Sequence, residues 1–292
     1  MKKTKKPFIN WEVLAQLVMD SQQDQQRKKG IGTGYGAWDD HAAFYDQMAK
    51  MEARFTLNQI NCFDTDPYDS VLDVGCGPGR ITVPMASRAK RVTALDSSSK
   101  MLEYCMKNVK EAGLTNVTPK LLDWHEVEPG KNLEQHDIVI CSRSPGMKDI
   151  MKLSKLARKY VVLINWSNNA PCIPMIVGFL FDGTEEEDDE KQRVKYSCRD
   201  RRLGNNLLYN RIYDLGFNPN LKIVEDGFTK VFNSREEAYE DLRRLRPNMP
   251  ANKMPIFKKN VDKFLAENPD GSFTYLAKTK TVVVWWKPEI EE

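Results

Sequence analysis

A chain of 292 residues with 41% hydrophobic and 29% charged side chains is an ordinary globular sequence, long enough for one large α/β domain with appendages or for two small domains. A net charge of only +3, from 44 basic against 41 acidic residues, gives no electrostatic ground for a nucleic-acid or membrane partner. With no apolar export signal, no run near the roughly 18 residues of a membrane span and no C-x-x-C pair, the sequence points to a cytoplasmic protein with reduced thiols rather than a disulfide framework or zinc site.

Residues 1–69 read as a polar-rich helical cap. Helices are predicted over 11–28 and 38–62, separated by the loose run Gly30-Ile31-Gly32-Thr33-Gly34-Tyr35-Gly36. Phe44, Met48, Met51 and Phe55 form one apolar stripe on the second helix. From residue 70 short apolar runs alternate with helix-length segments. Strands are predicted over 71–74, 92–95, 117–122, 137–141 and 160–164, with helices over 80–90, 99–112 and 147–158 between them. That rhythm builds right-handed βαβ units and a mostly parallel sheet covered on both faces. An apolar stretch (170–181) and an acidic run (185–190) interrupt the pattern; the latter reads as a solvated loop. A helix over 203–215 stopped by Gly216, a sixth strand over 221–224, a helix opened by the Ser234/Glu237 capping box and a final strand over 281–286 complete the chain. Residues 70–292 are therefore expected to form one doubly wound α/β domain with insertions over about 167–200 and 230–275.

The strongest chemical signal is Val71-Leu72-Asp73-Val74-Gly75-Cys76-Gly77-Pro78-Gly79-Arg80, a buried strand, a glycine turn and a helix start. Glycine suits a turn on which a ligand lies almost against the backbone, where a Cβ collides. Asp96, followed by Ser97, ends the next strand, where a carboxylate can accept hydrogen bonds from both hydroxyls of a ribose. The turn is G-x-G-x-G preceded by Asp73, not the G-x-G-x-x-G of dinucleotide folds. A carboxylate there repels pyrophosphate and suits a cationic ligand with an ammonium group, such as S-adenosylmethionine. The backbone of Cys76 matters to this turn more than its sulfur does.

Asp73-Val74-Gly75-Cys76-Gly77-Pro78-Gly79 resembles the glycine-rich first motif of the class I S-adenosylmethionine-dependent methyltransferases, and the likeness extends over about 38–166. It implies a seven-stranded Rossmann-like sheet whose last strand is antiparallel, with S-adenosylmethionine as cofactor. It also implies that Asp96 binds ribose, that Asp123 and Trp124 bracket the adenine, and that Ser142-Arg143-Ser144-Pro145 lines the methyl-transfer site. That last segment lacks the Asn/Asp-Pro-Pro-aromatic motif of the family's exocyclic-amine modifiers of bases. The stretch Trp38-Asp39-Asp40-His41-Ala42-Ala43-Phe44-Tyr45-Asp46 is similar to a helix of the family's small-molecule enzymes, which implies that Tyr45 closes over the donor.

Displacement at a sulfonium carbon releases a neutral thioether and needs no acid, so positioning and desolvation carry the reaction. A base is needed only when the acceptor must lose a proton; His41 is the candidate, ahead of Asp39 and Asp40. Tyr35, Trp38, Arg143, Asn165 and Trp166 are candidates for the acceptor pocket. The expected acceptor is a small molecule. An RNA or protein acceptor, served by Arg199, Arg201, Arg202, Arg243, Arg244 and Arg246, and a non-catalytic donor-binding regulator are the alternatives. Self-association is compatible with the sequence but not specified by it.

Overall fold

The computed structural model describes residues 9–11, 13, 14, 17, 37–167, 170–184 and 204–289. Tyr35, most of the helix expected over 11–28, the acidic run 185–190, and Arg199, Arg201 and Arg202 lie outside the described residues. The elements in chain order are α1 (Ala37–Ile60), β1 (Ser70–Val74), α2 (Thr82–Ala86), β2 (Arg91–Asp96), α3 (Ser99–Glu111), β3 (Val117–Leu121) and β4 (His136–Ser142). They continue as α4 (Ile150–Leu156), β5 (Ala157–Trp166), α5 (Ile173–Leu180), α6 (Gly204–Asp214), β6 (Asn220–Phe232), α7 (Arg235–Arg243), α8 (Met254–Asp262), β7 (Leu265–Glu267) and β8 (Phe273–Trp286).

The strands order β3-β2-β1-β4-β5-β8-β6, with β7 paired to β8 as well. The first five run parallel; β8 is antiparallel to β5 and to β6. The antiparallel last strand is thus as expected, and the strand count rises from seven to eight through the short β7. Central β1 is buried along its whole length, which is why Ser70-Val71-Leu72-Asp73-Val74 reads as a run rather than an alternation. Ser98 caps α3 by accepting from the Met101 N–H at 3.1 Å. Ser234 accepts from the Glu237 N–H, while the Glu237 carboxylate accepts from the Asn233 N–H, one residue before the usual partner in a capping box. The helix expected over 147–158 is shorter: a 3-10 turn at Pro145–Lys148 precedes α4, and β5 has begun by Ala157.

One face of the sheet packs Leu72, Val74, Val139, Leu163, Val284 and Trp286 against α4 and α6. The other packs Val71, Ile138, Ile140, Val162 and Val283 against Ile60, Ile81 and Met85. Each such fully buried side chain contributes about 1.5–3 kcal/mol. The two rings of Trp285-Trp286 fall on opposite faces, as a strand requires.

The sixth and last strands are far longer than the predicted 221–224 and 281–286. Their ladder runs unbroken from Asn220↔Trp285 to Phe232↔Phe273, beyond the point where β8 leaves β5. That overhang carries a core of its own, in which Phe228, Phe232, Tyr275 and Ala277 meet Ile176, Leu180 and Phe181 around α5, Ala238, Tyr239 and Leu242 of α7, and Phe257 and Val261 of α8. Met48 and Met51 of α1 join it, so the helical stripe read from sequence buries against this annex. Charged positions hid the extension: Glu225, Asp226, Lys278 and Lys280 spoil the apolar alternation, although Asp226 is buried.

Candidate functional site

The glycine turn is built by the backbone. The N–H groups of Gly75 and Cys76 both donate to the Leu95 carbonyl, at 2.8 and 3.0 Å, pinning the end of β1 to the end of β2. The Gly77 N–H donates to Asp96 Oδ2 at 2.8 Å, and the Ser98 N–H donates to Asp96 Oδ1 at 2.9 Å. Each carboxylate oxygen therefore keeps lone-pair capacity for a further donor. Burial pushes the Asp96 carboxyl up from its ordinary value, opposed by these backbone donors. Gly75, Gly77 and Gly79 all have positive φ, at 69°, 54° and 92°, but for different ends. A Cβ on Gly75 would stand 2.5 Å from Ser144 Cβ, and one on Gly79 would stand 2.9 Å from Cys105 Sγ. At Gly77 the nearest atom would be Met101 Sδ at 4.0 Å, so that glycine faces open space.

The space is a cavity of about 200 Å³, partly open to solvent, at the carboxyl ends of β1, β2 and β4. Ligands bind there in open α/β sheets. Tyr45, Met48, Ala49 and Glu52, on one helical stripe of α1, cover it together with Trp38 and with Ile173 of α5. Asp39 accepts from Ser98 Oγ and Asp46 from Asn108 Nδ2, so α1 is bonded to α3 beside the cavity.

Below lies a buried ionic lattice. Arg143, the residue after β4, donates from Nη1 to Glu52 at 2.8 Å and from Nη2 to Asp226 and Thr281, both at 2.8 Å. Arg80 donates from Nη1 to Glu52 at 3.1 Å and Gln59 at 2.7 Å, and from Nη2 to Ser142 Oγ. Burial alone raises the Glu52 carboxyl, but Arg143 and Arg80 together outweigh it and hold the group below its ordinary value. Asp226 goes the other way: burial, then repulsion from Glu52, raises it against the pull of Arg143. Arg143 has φ 51°, an uncommon conformation for a side chain this large, and its guanidinium lies 3.3 Å from the centre of the Trp166 ring.

Of the residues singled out from sequence, Tyr45, Asp73, Gly75, Cys76, Gly77, Asp96, Ser97, Asp123, Trp124, Ser142, Trp38 and Arg143 all line the cavity. Asp73 does so while almost wholly buried; it accepts from Thr82 Oγ1 at 2.7 Å, and burial pushes its carboxyl up to about 6. Trp124 is buried with its Nε1 donating to Asp149, and Asp123 caps the turn through the His125 N–H. Interaction with Cys105, then burial, raises the Cys76 thiol well above its ordinary value, leaving it unactivated. Four residues fall elsewhere. Gly79 packs against α3, His41 is exposed outside the lining, and neither Asn165 nor Trp166 reaches the wall. Trp166 instead backs Arg143 and packs near Phe228. Glu52, Arg80 and Asp226 were missed. A glutamate on the Tyr45–Met48 stripe of a helix was the signal for the first; a strand carboxylate facing inward gave none for the last.

A protein-family model described as a methyltransferase domain matches residues 71–161, from the first residues of β1 into β5. An uncharacterised protein from Haemophilus influenzae is 27% identical over 210 residues, covering 70% of this chain and 71% of that one. A probable cobalt-precorrin-6B C(15)-methyltransferase from Methanobrevibacter smithii is 32% identical over 101 residues, 34% of this chain and 54% of that protein. The solved geranyl diphosphate C-methyltransferase from Streptomyces coelicolor aligns at 13% identity and a TM-score of 0.42, over 80% of this chain and 74% of that one. Together with the glycine turn, the acid ending β2 and the 3-2-1-4-5 parallel strand order, the family-model match identifies residues 71–161 as a methyltransferase domain.

Proposed function

We propose that the chain transfers a methyl group from S-adenosylmethionine to a small-molecule acceptor inside the cavity beneath α1, within the cytoplasm. The observation that carries the reading is the turn at Gly77. Its missing side chain opens onto the cavity, while its N–H is held by Asp96, whose carboxylate keeps capacity for ribose hydroxyls. The wall suits the donor in its other parts too: Asp73 beside the turn for the ammonium group, and Asp123 with Trp124 flanking an adenine.

S-Adenosylmethionine supplies an electrophilic methyl carbon on a sulfonium. The chain's own residues bind, orient and dry the site. Tyr45 and Met48 exclude water from above, and Ser142 and Arg143 fix the far wall. Residues 1–69 serve as a cap and 70–292 as the catalytic unit in this reading. Enclosure by α1 and α5 supports a small molecule over a polymer, and Arg243, Arg244 and Arg246 do not line the cavity. Calorimetric titration with S-adenosylmethionine, S-adenosylhomocysteine and NAD tests the proposal. Binding of the two adenosyl compounds and not NAD is expected; binding of NAD alone refutes it.

A further inference from the structure

Two arginines facing a pocket ordinarily read as a clamp for phosphate or carboxylate. Here both are spent on the chain's own carboxylates. Arg143 uses Nη1 on Glu52 and Nη2 on Asp226 and Thr281, and its Nε is buried with no partner, sealed from any ligand. Arg80 engages both Nη groups, on Glu52, Thr56, Gln59 and Ser142. The Arg80 and Arg143 side chains are only 12% and 13% exposed.

Among the described residues, the wall sets four carboxylates, Glu52, Asp73, Asp96 and Asp123, against those two cations, and Asp226 adds a fifth from behind. A donor with sulfonium, ammonium and carboxylate groups brings one net positive charge, which leaves a surplus of negative charge around the acceptor. The apolar part of the wall that α1 and α5 supply, Trp38, Tyr45, Met48 and Ile173, suits an apolar body and, through its rings, a cation.

We propose that the methyl acceptor is an uncharged or cationic small molecule, and that the site rejects acceptors carrying phosphate or carboxylate. This rests on the methyltransferase reading and adds the acceptor's charge class to it. The Glu52–Arg143–Asp226 lattice is the specificity element: it keeps the two arginines neutralised so that they do not recruit anions.

The test uses the full chain saturated with S-adenosylhomocysteine, whose binding is measured first by calorimetry; if it does not bind, the methyltransferase reading itself fails. Benzyl alcohol, benzylamine and phenyl phosphate are then titrated as probes that share a phenyl ring and differ in charge, with Trp38→Ala to locate them in the cavity. Benzyl alcohol and benzylamine are expected to bind, and phenyl phosphate about tenfold or more weakly, as like charges in a partly desolvated site require. Glu52→Gln and Asp226→Asn, each removing one carboxylate at constant shape, are expected to narrow that gap. Phenyl phosphate binding as tightly as benzyl alcohol to the unmodified chain overturns the proposal. So does failure of both the alcohol and the amine to bind, or binding indifferent to Trp38→Ala. The unmodified chain decides the matter even where neither lattice variant folds.

Discussion

The three glycines of the turn share a conformation but not a reason for it, and substitution separates them. In Gly75→Ala the new methyl meets Ser144 Cβ at 2.5 Å and Oγ at 2.7 Å, closer than carbon contacts allow, at φ 69°. The left-handed conformation costs a non-glycine residue about 1–2 kcal/mol. Forcing a methyl into filled space costs about 1–3 kcal/mol more. The expected loss of folding stability is therefore about 2–5 kcal/mol, read by urea denaturation. Ser144→Gly removes the obstruction but loses the hydrogen bond from Ser144 Oγ to the Val74 carbonyl at 2.9 Å, worth about 1 kcal/mol. In the double variant only the steric part is recovered, so the cycle carries a coupling of about 1–3 kcal/mol. Gly77→Ala pays the conformational part alone, about 1–2 kcal/mol, but places its methyl in the cavity and is expected to lose S-adenosylhomocysteine binding. A coupling below about 0.5 kcal/mol would refute the assignment of Gly75 to loop packing. Normal ligand binding by Gly77→Ala would refute the assignment of Gly77 to the ligand.

Asp96→Ala is expected to weaken donor binding by about 1.5–3 kcal/mol, the scale of hydrogen bonds to a charged group, and unchanged calorimetric affinity would remove Asp96 from the site. Asp73 has a folded pKa of about 6 against an ordinary 3.8, so its ionisation costs stability as pH rises from about 4 to 6, and the penalty persists above that. Asp73→Asn should accordingly gain stability relative to the parent across that window, by about 1–3 kcal/mol at pH 8; parallel pH profiles would count against the burial argument. Arg143→Met leaves Asp226 buried without its cation and is expected to cost about 3–5 kcal/mol in chemical denaturation, whereas a loss under 1 kcal/mol would mean that the lattice is not desolvated. Ser154→Ala strands the Trp286 indole N–H, which donates to Ser154 Oγ at 3.1 Å in the core; about 1–3 kcal/mol is expected from thermal or urea unfolding.

The parallel half of the sheet and the glycine turn were legible because their physics is local. A buried central strand reads as an apolar run, a tight turn as glycine, and the carboxylate that holds that turn as an acid ending the next strand. Val71–Asp96 carries all of this within a few dozen residues. The annex was not legible, because its signals are long-range. Asp226 reads as a polar strand end until Arg143, from the far side of β5, is brought within 2.8 Å of it. Arg143 itself reads as a loop residue, although it ties β4, α1, β6 and β8 together. His41 shows the opposite failure: a residue type apt for catalysis, on a helix that does border the site, but exposed to solvent and outside the cavity wall. Helical periodicity puts residue 41 on the stripe of Tyr45, Met48, Ala49 and Glu52, yet His41 is exposed and stands outside the lining, so the pattern alone did not separate it from its neighbours.

The placement of β8 between β5 and β6 has a consequence for how the molecule comes into being. Strands β1 to β5 can assemble in the order in which they are synthesised, each next to a partner already made, whereas β6 finds its sheet partner among the described residues in a strand that begins forty-one residues later. Until Phe273–Trp286 emerges, the annex core lacks Tyr275 and Ala277, and the Arg143–Asp226 end of the lattice lacks the Thr281 hydroxyl. Sheet, annex and charge lattice are therefore completed by one late event, the insertion of a single strand, and a nascent chain arrested before it presents two open strand edges, β5 and β6, to its surroundings.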